Sequence, residues 1–352
     1  MSSRVFRSIA LALLASALQL ASVPLAATAG DGPFEVGRLR ALSGPSPFAA
    51  GCPGARADPN GIITGAEVEP AITVNPTNPR NVVGTWQQDV GLGARSDLVA
   101  SSYNGGKTWR QSTIPGLTVC TGGTADFASD PWLSAGVDGT VYFSGIAGVF
   151  TSAPPPVSIV ASRSRDGGRS WQVPTTVAPL EVGNDTNAIA ASPTLAGHAY
   201  LVWAKWDHTY QLPMTANFLR FLRTSDGGAT WSPAVVIDKP GPTAIDFSGH
   251  ILGLPGGELL AVFVQADLVL GLGRLFAARS VDEGRTWQNP VEVASQPVGQ
   301  FTDPDSGIEL PQPGFFNAVL APDGTIYAAL EASSSASAGA IRLVRSRDGG
   351  RS

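Results

Sequence analysis

One phrase returns five times along this chain, and it limits the possible folds more than any other feature. It reads Ser102-Tyr-Asn104-Gly-Gly-Lys-Thr-Trp109, Ser164-Arg-Asp166-Gly-Gly-Arg-Ser-Trp171, Thr224-Ser-Asp226-Gly-Gly-Ala-Thr-Trp231, Ser280-Val-Asp282-Glu-Gly-Arg-Thr-Trp287 and Ser346-Arg-Asp348-Gly-Gly-Arg-Ser352. The acidic or amide residues Asn104, Asp166, Asp226, Asp282 and Asp348 are 62, 60, 56 and 66 residues apart. A recurrence this regular marks a repeat architecture, in which each unit buries its apolar faces against its neighbours.

The phrase has the composition of a hairpin turn. An Asp or Asn side chain accepts hydrogen bonds from turn N–H groups, the glycines adopt positive φ without a steric penalty, and the Ser and Thr hydroxyls add local bonds. Trp109, Trp171, Trp231 and Trp287 open the next strand and are expected to pack across the turn onto their own sheet. Between turns, two apolar runs flank a second turn in every unit, as in Ala71-Ile-Thr-Val74 followed by Val82-Val-Gly-Thr-Trp86. Each unit therefore holds strands a, b and c, the repeated turn, and strand d. The class is all-β, and four strands per ~40–60 residues is the pattern of a β-propeller blade. Blades are expected at about 67–120, 128–180, 183–240, 245–297 and 312–352. A pair of β-sandwiches is the alternative, but it does not explain one turn phrase per unit.

Composition fits short strands and tight turns: 41 glycines and 28 prolines punctuate a chain that is 43% apolar and 14% charged. Residues 1–29 read as a signal peptide, because Arg4 and Arg7 precede an uncharged run ending in the small-x-small pattern Ala27-Thr28-Ala29. A membrane anchor is the alternative; Ser16, Gln19, Ser22, Pro24 and Thr28 thin the run. The expected protein is thus secreted, extracellular or periplasmic, with an N-terminal extension at 30–66, a propeller at 67–352 and no membrane contact after cleavage. Loss of Arg4 and Arg7 moves the formal charge from −5 to −7, which argues against a nucleic-acid partner. In an oxidising compartment the only two cysteines, Cys52 and Cys120, most economically form one disulfide, two unrelated thiols being the alternative. The three histidines have no close spacing, so no metal site is expected. No cofactor is implied, and a monomer is expected.

The pattern Ser-x-Asp-x-Gly-x-Thr-Trp, once per four-stranded unit, resembles the Asp-box (BNR) repeat of the sialidase (neuraminidase) superfamily. Glu69-Pro-Ala-Ile-Thr-Val-Asn-Pro76, Ser129-Asp-Pro-Trp132 and the cysteine pair are similar to a secreted bacterial branch of it. The resemblance implies six blades, glycan or glycoprotein partners, and exo-α-sialidase-type hydrolysis, with the boxes on the face opposite the active site. Five units are present and the fifth stops one tryptophan short, which leads to the expectation that the chain is incomplete at its C-terminus. Pairing of Phe34-Glu-Val-Gly-Arg-Leu39 with the last blade is the other way to close the ring.

Once a propeller is granted, the d-to-a connections and b-to-c loops share the face away from the boxes, and that face receives the candidate site. Glu69, Asp130 and Asp185 recur at the starts of inner strands and are the candidate acids. Tyr210 is the candidate nucleophile, because Tyr142, Tyr200 and Tyr327 occupy equivalent b-strand positions of the core. Arg95, Arg274 and Arg342, near the starts of c strands, are candidate clamps for a substrate carboxylate. Trp206 and Asp207, in an unrepeated loop, are candidates to stack on and bond a sugar. The arginines before the boxes, Arg163, Arg223, Arg279 and Arg345, repeat with the unit and are expected to decorate outer strands. The chain departs from catalytic sialidases at the first inner strand, where their Phe/Tyr-Arg-Ile-Pro motif is replaced by Glu69-Pro70-Ala71-Ile72. The alternative function is a propeller that binds a glycan or a protein without cleaving it.

Overall fold

The computed structural model describes residues 38–49, 51–55, 61–206, 212, 217–297, 301–302, 309–310, 316–335 and 338–351. Five antiparallel blades follow one another along the chain. Blade 1 contains β1 (Ile63–Val74), β2 (Val82–Gly91), β3 (Gly93–Ser102) and β4 (Arg110–Thr113); blade 2 contains β5 (Phe127–Ala135), β6 (Val141–Gly148), β7 (Val157–Ser164) and β8 (Thr175–Glu181). Blade 3 is β9 (Asn184–Ala191), β10 (Ala199–Lys205), β11 (Phe218–Thr224) and β12 (Val235–Asp238); blade 4 is β13 (Ala244–Gly253), β14 (Leu259–Asp267), β15 (Leu272–Ser280) and β16 (Val291–Pro297). A short ribbon, β17 (Phe301–Thr302) with β18 (Glu309–Leu310), precedes blade 5, whose strands are β19 (Phe316–Leu320), β20 (Ile326–Ser335) and β21 (Ala338–Ser346).

The first strands of successive blades adjoin in the order β1, β5, β9, β13, β19, as the inner strands around a propeller axis do. Apolar residues fill each seam between blades. Trp132 of β5 reaches the core of two seams, and its ring meets His250 of β13 edge-on at 5.0 Å; His250 in turn lies 4.8 Å from Phe316 of β19. Burial pushes the His250 imidazole down to about 4, so this plug along the axis is neutral.

The repeated turns join third to fourth strands as expected, and they pack on the preceding blade as well as on their own. In blade 3, Asp226 accepts the N–H groups of Ala229 and Thr230, each at 2.9 Å, while the Thr230 and Thr224 hydroxyls donate to the same carboxylate at 2.6 and 2.8 Å. Asp166, Asp282 and Asp348 each hold the same kind of turn. Both glycines sit at positive φ, and the second abuts the blade before it: a Cβ on Gly350 would come within 2.7 Å of Leu260, and one on Gly168 within 3.0 Å of Val83. Trp287 likewise packs against Phe221 of blade 3, at 5.1 Å between ring centres, while Trp109 packs on Trp86, Leu98 and Ala100 of its own blade and Trp171 meets Phe143 of its own blade edge-on within a cluster shared with blade 1. The turns therefore lock blade to blade as well as holding their own sheet.

The arginines before the turns are also placed otherwise than expected. They lie on third strands: Arg163 donates to the Gly227 carbonyl, Arg279 to the Gly349 carbonyl, and Arg223 bonds Glu283 at 2.7 Å, so each reaches the turn of the next blade. Arg345 occupies the same position in blade 5 and is exposed. Where the fourth turn has Glu283 in place of glycine, φ is +58°, and the carboxylate accepts from Arg223 with the His198 ring 3.2 Å away.

The disulfide Cys52–Cys120 is formed, with 5.7 Å between Cα atoms, and ties the N-terminal segment to the connection after blade 1. That segment covers one face of blade 1, where Leu42 and Phe48 pack on Trp86, Leu98, Ala100 and Trp109. Arg38 and Leu39 are exposed and outside any strand, while residues 31–37 lie outside the described residues.

Candidate active site

Each inner strand of the first four blades breaks its ladder, β1 at two places and the others at one. The pairing shifts between Val68 and Ala71, between Ser129 and Trp132, opposite Val202 to Ala204, and between Asp246 and Ser248. These are β-bulges, and they re-aim a side chain while bending the strand. In three of them the bulged residue takes a left-handed backbone without being glycine: Glu69 at φ +52°, Asp130 at +53° and Thr186 at +47°. Each such residue costs roughly 1–2 kcal/mol, strain that is concentrated at the axis.

The bulges bring three expected acids together. Glu69 accepts the backbone N–H of Asp130; Asp130 accepts the N–H of Thr186 at 3.1 Å; the Thr186 hydroxyl donates to the Phe247 carbonyl. Each bulge is thus laced to the next blade. Asp185, beside Thr186, donates a carboxyl hydrogen bond to Asp130 and is itself bonded by the Trp206 indole N–H. Gln87 of β2 donates to Glu69 and, at 3.2 Å, to the Ser129 hydroxyl, which passes its own proton toward Asp130.

A fourth acid was not anticipated. Asp97 of β3 is fully buried, has no hydrogen-bond partner for either oxygen among the described residues, and feels Asp130 and Glu69 as its charged neighbours. Its signal in the sequence was a single acid at the head of the apolar run Leu98-Val-Ala100. Two further hints were Glu69-Pro70 and Asp130-Pro131, because proline inside a strand is tolerated at bulges.

The electrostatics follow from crowding. Burial, followed by the charge of Asp130, pushes Glu69 up to about 8, although its outer side stays open to solvent. The same two causes push Asp185 up to about 7. Burial, followed by the charges of Asp130 and Glu69, drives Asp97 well above the usual carboxylate range. Asp130 is also raised by burial, but Ser129, the Thr186 N–H and Asp185 all donate to it and favour its anion. Asp130 is thus the first of the three to lose its proton, while its charge helps Glu69 and Asp185 keep theirs to higher pH.

The remaining sequence candidates are not assembled here. Arg95 is buried on β3 and bridges to Asp89 at 3.0 Å, a carboxylate that also accepts Ser46 and the Gly65 N–H. Arg274 lies on the third strand of blade 4 beside Glu292 of the outer strand, and Arg342 is exposed on the third strand of blade 5. Arg95, Arg274 and Arg342 thus lie on the third strands of three different blades, 1, 4 and 5. Trp206 is 4% exposed and packs edge-on against Phe247 at 5.6 Å; it is a prop for Asp185 and offers no face to a sugar. Tyr210 and Asp207 lie outside the described residues.

A β-propeller is also what comparison with known proteins returns. No family model matches the chain. A sialidase from Micromonospora viridifaciens is 28% identical in an alignment 282 residues long that covers 74% of this chain and 38% of that protein. The chain thus spans about two fifths of that sialidase. An α-L-arabinofuranosidase from Fusarium graminearum superimposes with a TM-score of 0.52 at 18% identity, over 78% of this chain and 80% of that one. A sialidase from Streptococcus pneumoniae gives 0.51 at 11% identity, over 85% and 61%. The fold is the sialidase-type propeller. Glycosidases acting on different sugars share it, so activity has to be read from the site.

Proposed function

We propose that this protein is a secreted glycoside hydrolase whose axial carboxylates carry the chemistry. The observation that supports the reading most is the Glu69, Asp130 and Asp185 cluster, held at strained bulges where one acid keeps its proton near neutral pH and its neighbour does not. Glycosidic cleavage needs that division of roles. Glu69, open to solvent and proton-bearing, donates to the glycosidic oxygen as the C–O bond breaks. Ionised Asp130 faces the positive charge developing at the anomeric carbon and takes a proton from the attacking water. Asp97 and Asp185 keep the cluster's charge low, while Gln87 and Ser129 fix the two acting groups.

Export is inferred from residues 1–29, and the glycosidase assignment is consistent with the named activities of the similar proteins. A second reading, a glycan-binding propeller without turnover, is favoured by one observation: Glu69 and Asp130 also serve as ties between blades. Hydrolysis of a panel of aryl glycosides and oligosaccharides separates the two. Under the hydrolase reading, Glu69→Gln and Asp130→Asn each lower turnover at least about a hundredfold with the β spectrum intact. If the wild type cleaves nothing on the panel, the binding reading replaces it.

A further inference from the structure

We infer that a pocket between the N-terminal segment and the first repeated turn binds an acidic sugar, one that carries a carboxylate or a sulfate. The pocket lies at the end of blade 1 opposite the bulge at Glu69, so the inference does not depend on the axial acids. Its volume is about 260 Å³. Pockets for drug-sized ligands begin near ~300 Å³, so this one suits a single sugar ring and is loose around a lone inorganic anion.

Two things set the first turn apart from the others. Its acid position holds Asn104, so the turn lacks the negative charge that Asp166, Asp226, Asp282 and Asp348 bring to theirs. The amide also reverses one hydrogen bond. In blades 2, 3 and 4 the Ser170, Thr230 or Thr286 hydroxyl donates to the turn's carboxylate. In blade 1 the Asn104 Oδ1 accepts the Thr108 N–H at 2.9 Å, which leaves Nδ2 to donate to the Thr108 hydroxyl at 2.8 Å. The Thr108 hydroxyl proton is thereby released for another acceptor.

That residue lines the pocket beside two cations, Lys107 and Arg40. Both are exposed, and among the described residues neither bridges a carboxylate. Arg40 is drawn to the turn by a bond to the Lys107 carbonyl at 3.4 Å, which leaves its other N–H groups for a ligand. The wall formed by the N-terminal segment is fixed, because Gln111 accepts the Gly44 N–H at 2.7 Å and donates to the Pro45 carbonyl at 3.3 Å. Charged and neutral donors thus face one concave space. An anionic group takes the two cations, and the ring hydroxyls of a sugar meet the hydroxyls of Ser43 and Thr108.

The test is an NMR titration of the full chain, read at the indole N–H of Trp109, which lines the same pocket. The probes are methyl glucuronide, galactose 6-sulfate, methyl glucoside and sodium sulfate. Both acidic sugars should bind at least about fivefold more tightly than the glucoside, and less tightly as salt screens the cations. Asn104→Asp is the decisive variant. It restores the residue of the other four turns, so the melt should hold or rise, yet it adds a negative charge and recaptures the Thr108 proton. Affinity for the acidic sugars should fall about fivefold, and about threefold in Lys107→Gln. Sulfate bound as tightly as the acidic sugars means an adventitious ion only and overturns the inference. So does equal affinity for the glucoside, binding that both variants leave unchanged, or binding of no probe. Acidic-sugar binding that survives in Glu69→Gln supports the pocket, and binding lost there moves the sugar to the axis and overturns it.

Discussion

Replacing Asp226 tests the account of the repeated turn, because the chain carries its own control. Asp226 gathers two backbone N–H groups and two hydroxyls in one exposed turn, all within 2.9 Å. In Asp226→Ala those donors turn to water, and a net loss of about 0.5 kcal/mol for each gives about 2 kcal/mol. For a chain of this size that is about 3 °C in Tm. Asp226→Asn should cost less than half as much. Asn104 already performs this role in blade 1, accepting the Thr108 N–H at 2.9 Å and reversing the hydroxyl bond, which it donates to Thr108 at 2.8 Å. The four bonds, the Thr230 hydroxyl first, hold the Asp226 carboxyl well below its ordinary range. Its stabilisation is therefore present above the unfolded value near pH 4 and fades as pH falls through the folded one. Thermal melts at pH 7 and pH 3 should show the wild-type advantage over the alanine variant shrinking in acid, with the Asn-to-Ala gap unchanged. An alanine variant as stable as wild type at pH 7, or an asparagine variant as damaged as alanine, would refute the reasoning.

The axial acids predict the opposite pH trend. Glu69 and Asp185 are raised to about 8 and about 7, so the folded state binds more protons than the unfolded chain between pH ~4 and those values, and stability falls as pH rises through that window. Melts from pH 5 to 9 should decline for the wild type and flatten in Glu69→Gln/Asp185→Asn; a flat wild-type profile counts against the cluster. The Cys52–Cys120 bond closes a separation of 68 residues, for which chain entropy gives about 4 kcal/mol. Its reduction should lower Tm and first expose residues 38–55 to protease, and an unchanged melt would show that the N-terminal segment adds nothing to blade 1.

Much of this was legible before any coordinates. Five copies of one turn phrase are enough to specify four-stranded units, and the units fall within a few residues of the expected bounds because strand, turn and glycine signals agree. The acids at the starts of inner strands were placed by topology alone. What escaped is non-local. Nothing in the period-two pattern tells that Gly168 and Trp171 face the blade before them, or that Arg163 crosses a seam, since a blade's two faces look alike in sequence. Asp97 belongs to a c strand, where periodicity predicts core. Trp206 was singled out for being unrepeated, and that is equally true of a residue that props one particular acid.

The packing of each turn onto the preceding blade has a consequence for how such a chain comes apart. The second glycine of a repeat rests on the blade before it, and the arginine of a repeat reaches the turn of the blade after it, so the cooperative element runs from the middle of one sheet to the middle of the next. Heat or force should therefore open the molecule along these overlaps, like roof tiles lifted from the last course. A truncation or graft made at the loop between two sheets would cut through an element, while one made inside a sheet would separate two of them.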